Sequence, residues 1–86
     1  MSTDEKLISK IENYRSGAPI SFSELKKYLL LNGFTCNEKT GSSHMKFKHD
    51  LYPNSLAIPV HSNYVKRVYV KLAVGAVECI RMEKER

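Results

Sequence analysis

His44 heads an alternating string, His44-Met45-Lys46-Phe47-Lys48, directly after the turn-forming residues Gly41, Ser42 and Ser43. The side-chain period of a strand, two residues, places His44, Lys46 and Lys48 on one face and Met45 and Phe47 on the other. Histidine exchanges protons near neutral pH and can act as general base or acid. Lysines beside it can hold a phosphate and offset the charge that builds on it. On RNA, such a set can take the proton of a 2′-hydroxyl and direct that oxygen onto the adjacent phosphate, with no metal needed. His61 ends the next alternating segment and faces the same way. In the plainer reading, His44 is a surface histidine in a turn, and spacing alone does not separate the two.

Other chemistries fit less well. A metal site from His44, His49 and His61 would need His49, which the period sends to the opposite face, and no cysteine or carboxylate cluster completes a set. Gly41-Ser42-Ser43 lacks the spacing of a phosphate-binding loop. A serine nucleophile beside His44 would want an orienting acid, and none is evident. The expectation is therefore a site without metal or other cofactor. The string GSSHM also resembles the remnant of a cleaved affinity tag. It lies mid-chain between apolar segments and is read as native.

Charge points to the same region. The chain carries net +5, but residues 1–38 hold five bases against five acids and residues 72–86 three against three. The excess sits in 39–71, where Lys39, Lys46, Lys48, Lys66, Arg67 and Lys71 face Asp50 alone. Such clustering attracts a polyanion in a salt-dependent way. A lysine-rich edge that only confers solubility is the alternative. The three histidines in the same segment favour the polyanion.

The elements that must position these groups follow from periodicity. Ser2-Thr3-Asp4-Glu5 is a capping box that opens a helix, with Leu7, Ile8, Ile11 and Tyr14 at helical spacing. Gly17 and Pro19 close it. A second box, Ser21 to Glu24, opens a helix that stops at Asn32-Gly33. The period then changes to two. Phe34 and Cys36 face inward on a short strand, EKTGSS turns, and the His44 strand follows. A loop is expected at Tyr52–Ser55, then a strand with Leu56, Ile58 and Val60 inward and Ala57, Pro59 and His61 outward. Pro59 cannot donate to a ladder, which places that strand at a sheet edge. In the tail, Val65, Tyr69, Leu72, Ala76 and Ile80 form a helical stripe, with Ser62 or Asn63 as its cap, or with its first residues extended instead. The order is helix, helix, three antiparallel strands, helix. This is an α+β domain with its helices on one sheet face and the other face left open.

A chain of 86 residues makes one domain and buries about 60% of its unfolded surface. With 42% hydrophobic and 27% charged residues it has the composition of a globular protein. No run approaches the ~18 apolar residues of a membrane span. The acidic N-terminus does not resemble a secretory signal, so a cytoplasmic location is expected. Cys36 and Cys79, widely separated, read as small core residues rather than a disulfide or metal pair.

Four motifs in order then resemble those of the HicA toxins, the messenger-RNA-cleaving endoribonucleases of bacterial type II toxin–antitoxin modules. They are L-x-x-N-G-F at Leu29–Phe34, G-S-x-H at Gly41–His44, I-P-x-H at Ile58–His61, and V-Y-V-K-x-A at Val68–Ala73. The resemblance covers about residues 21–82. It implies a double-stranded-RNA-binding-like α-β-β-β-α fold, RNA as substrate, and a HicB-type antitoxin partner. It carries the catalytic role to His44. Lys39, Ser42, Ser43, Lys46, Lys48, His61, Lys66 and Arg67 are the expected RNA contacts, His61 in a contacting or structural role. The family turn often reads G-S-H, so the extra serine here lengthens the loop. The helix in residues 1–18 is an addition to the family core. A non-catalytic RNA-binding module of the same fold is the alternative function, and a basic face that docks an acidic protein is a third.

Overall fold

The computed structural model describes residues 3–37, 44–60 and 63–85. Helix α1 spans Thr3–Glu12. Its first apolar positions, Leu7 and Ile8, are half-buried and Ile11 is fully buried. The backbone then tightens into a 3-10 turn at Tyr14–Ser16, which Gly17 ends in the left-handed conformation at φ 89°. Ser2 of the expected first capping box lies outside the described residues.

Helix α2, Phe22–Leu31, opens on the second box with both halves formed. The Glu24 amide donates to Ser21 Oγ at 3.2 Å, and the Ser21 amide donates to Glu24 Oε1 at 3.0 Å. Its C-terminus explains the L-x-x-N-G-F string. The Gly33 amide donates to the Leu30 carbonyl and the Phe34 amide to the Leu29 carbonyl, with Gly33 at φ 89°. This is a Schellman motif, in which glycine supplies the left-handed residue and the apolar residue after it packs back on the last turn. Leu29 and Phe34 are accordingly buried in one core.

Three antiparallel strands follow, β1 Thr35–Asn37, β2 His44–His49 and β3 Tyr52–Pro59, in the order β1-β2-β3. β2 is therefore central, and Pro59 sits on an edge strand as expected. The segment from Tyr52 is strand rather than loop. Phe47 pairs with Leu56 but His49 pairs with Tyr52, so one residue of β2 opposes three of β3. Pro53 lies in this bulge, where its missing donor costs no ladder bond.

Helix α3, Arg67–Lys84, closes the chain. Its N-cap is Lys66, with no side-chain cap bond, so Asn63 is not the cap. The β-favouring residues before it pair instead of coiling. Tyr64 bridges Ser21, and the Val65 amide donates to the Ile20 carbonyl at 2.8 Å. The buried stripe of α3 is Val70, Ala73, Val74, Ala76, Val77 and Ile80. Leu72, expected inside, is exposed.

α2 and α3 cover one sheet face, where Phe47, Leu56 and Ile58 are buried, and α1 packs on those two helices. α1 is joined to both others by polar contacts as well. The buried Tyr28 hydroxyl donates to Glu12 Oε2 at 3.0 Å, and Arg81 Nη2 meets the same oxygen at 2.8 Å. Burial, then the bond to Glu12, raises the pKa of the Tyr28 hydroxyl and keeps it protonated as the donor.

Candidate functional site

β2 owes its two-faced character to strict alternation. Met45 and Phe47 turn toward the helices, half-buried and buried, while His44, Lys46 and Lys48 are exposed on the opposite face. Neighbours in register leave that row open. Lys48 pairs with Thr35, Lys46 with Ala57, and His44 with Pro59, so short side chains flank it. The Thr35 hydroxyl donates to the Lys48 carbonyl at 3.3 Å. Alternate residues of a strand stand roughly 6.5 Å apart, so the row reaches about 13 Å from His44 to Lys48.

Neither Lys46 nor Lys48 has an acidic partner among the described residues. Ion pairs instead join the helices, Lys10 to Glu24, Lys27 to Asp4 and Arg81 to Glu12. The sheet face thus presents Lys46 and Lys48 as cations with no acid paired to them, while Lys66, Arg67 and Lys71 carry further charge of the basic segment at the start of α3. Such a row suits an anionic ligand in charge and can place a proton-transferring imidazole beside it.

The expected contact residues do not all gather on this face. Lys66 and Arg67 are exposed at the start of α3. Arg67 turns to the α1–α2 connection, its Nη2 3.9 Å from the position of a Cβ on Gly17. The basic segment therefore divides into a sheet-face row and a helix-end group. Lys39, Ser42, Ser43 and His61 lie outside the described residues.

His49 faces away from His44, as the strand period requires. It is half-buried, edge-on to Phe34 with ring centroids 5.2 Å apart. Its Nδ1 accepts the Leu51 amide at 2.9 Å, which fixes the two-residue turn Asp50-Leu51. At this end of the sheet a hollow of about 520 Å³ opens between Gly33, Thr35, Lys48, His49, Tyr52 and Asn54. Lys48 borders both the row and the hollow. Thr35, Tyr52 and Asn54 were not among the sequence candidates, because strand register and the bulge bring them there. Among the described residues no three His, Cys, Asp or Glu side chains gather. No helix among them is long and apolar enough to cross a membrane. No family model, curated protein or solved structure matches the chain.

Proposed function

We propose that this chain is an endoribonuclease of the HicA type, a toxin with a double-stranded-RNA-binding-like core, His44 as its catalytic residue, and a HicB-type antitoxin that neutralises it. The observation that carries the reading is the exposed His44–Lys46–Lys48 row on the helix-free face of β2. The motif order in residues 21–82 supports it. In the reaction, His44 takes the 2′-hydroxyl proton and the freed oxygen attacks the adjacent phosphorus. The bond from phosphorus to the 5′-oxygen breaks, that oxygen takes a proton from water, and the His44 imidazolium returns its proton to the hydroxide so formed. A cyclic phosphate and a 5′-hydroxyl end result, with no cofactor consumed. Lys46 and Lys48 hold the phosphate and offset the charge on it. Lys39, Ser42, Ser43 and His61 extend the RNA contact, and Lys66 and Arg67 add to it from the start of α3. The antitoxin covers the basic face, and the complex resides in the cytoplasm.

The test is incubation of the purified protein with single-stranded RNA in the presence of a chelator. Cleavage is expected, and His44→Ala should slow it by ~10²–10⁴-fold, the range of a general acid–base group. Equal cleavage by the variant sinks the assignment. RNA that is bound but left intact would make the chain a non-catalytic binding module instead.

A further inference from the structure

α3 is apolar on two opposite faces, and the fold covers one of them. Away from the core, Val68 is 56% exposed, Leu72 50% and Met82 67%. With 3.6 residues per turn these fall on one line with Gly75 and Cys79, about 180° from the middle of the buried stripe. Steps along the line alternate between four and three residues, the spacing of a seam between packed helices. Gly75, at the centre, has open space where a Cβ would stand, so a second backbone can come close. Scattered surface apolar residues need no explanation, but a periodic line of them marks an interaction surface.

The charges beside the line select the occupant. Lys71 and Glu78 stand on the same flank, two turns and about 10.5 Å apart, too far to pair with each other. Neither is in an ion pair among the described residues. A second α3 laid antiparallel, Leu72 of each chain against Gly75 of the other, brings each Lys71 opposite the copy's Glu78. A parallel copy would instead set Glu78 against Glu83. The same flank opens on a hollow of about 520 Å³ between α3 and the end of α1, bordered by Asn13, Arg15, Lys71, Gly75 and Glu78. It leaves room for the partner's flanking side chains. We infer that the outer stripe of α3 is the interface of a two-fold symmetric homodimer with antiparallel helices. Such an interface is isologous, the same patch meeting itself. The seam runs only about 21 Å from Val68 to Met82, so association is weak and concentration-dependent. The inference does not depend on the proposed RNA chemistry.

Sedimentation equilibrium of the full chain without RNA, from micromolar to millimolar concentration, tests it. A monomer–dimer equilibrium is expected, which Leu72→Glu removes. Lys71→Glu and Glu78→Lys should each weaken it about tenfold, since two symmetric pairs turn repulsive. Mixing those two variants should restore dimers, because every reversed charge then meets its opposite. All three side chains are exposed, so circular dichroism melts should stay near wild type. A chain that is monomeric throughout overturns the proposal, as does association indifferent to the reversals and their mixing. So does a stripe that is occupied only when an antitoxin-type protein is added.

Discussion

Gly33 shows how one residue serves two elements. It takes the left-handed conformation that ends α2, and an added Cβ would stand 3.0 Å from His49 Nε2 and 3.4 Å from its Cδ2. Gly33→Ala therefore meets both backbone strain and a steric contact. It should lower stability by about 2 kcal/mol in denaturant unfolding, near the upper end for a left-handed non-glycine residue. Adding His49→Ala should recover the contact portion and leave the backbone portion. If the second substitution recovers nothing, the contact is not part of the cost. Asn32-Gly33 was legible in the sequence as a helix stop, because the left-handed requirement is local. The imidazole above Gly33 was not, since it comes from a strand whose register no short-range signal sets.

At the scale of elements, the strongest local device is the box at the start of α2. Lys10 Nζ meets Glu24 Oε2 at 2.7 Å while the other carboxylate oxygen accepts the Ser21 amide. The hydrogen bond from Lys10 is the main cause that holds the Glu24 carboxyl below its ordinary 4.5, against the opposing effect of burial. A carboxyl depressed in the folded state is protonated more readily when unfolded, so stability rises with pH across the interval between the two values. Its contribution is present above about pH 4.5 and is lost as pH falls through the lower, folded value. Glu24→Gln should cost about 1 kcal/mol at neutral pH, a modest figure because both partners are partly exposed. The gap from wild type should close on acidification, as followed by melts over a pH series. A gap that persists at low pH would assign the effect to packing. The box at Ser21–Glu24 was legible for the same local reason. The facing of α3 was not: the stripe through Leu72 falls between its buried and exposed apolar lines, because a helix apolar on two sides has no single phase.

For the whole molecule, the division of the basic segment into a sheet-face row and a helix-end group makes a directional claim about RNA binding. Lys46→Ala and Lys48→Ala should each lower the slope of log affinity against log salt by about one, the signature of one lost phosphate contact. Arg67→Ala should change it less, because its guanidinium lies by Gly17 on the helix-covered side. Filter binding across a salt series measures all three. Equal effects from all three would spread the interface over both regions, and no effect from the lysines would remove the sheet face from it.

The sequence by itself determined the order of elements, the two faces of β2, the edge position of β3 and the ends of α2. Each depends on periodicity or on a residue with one local conformational use. Only the tertiary structure decided that Tyr52–Ser55 is bulged strand, that the approach to α3 pairs with Ser21 rather than capping the helix, and that Arg67 turns from the sheet row. It also decided which apolar line of α3 is covered. These outcomes rest on partners far along the chain. A backbone amide or an apolar side chain has the same local preference whichever distant surface satisfies it, and only packing chooses among them.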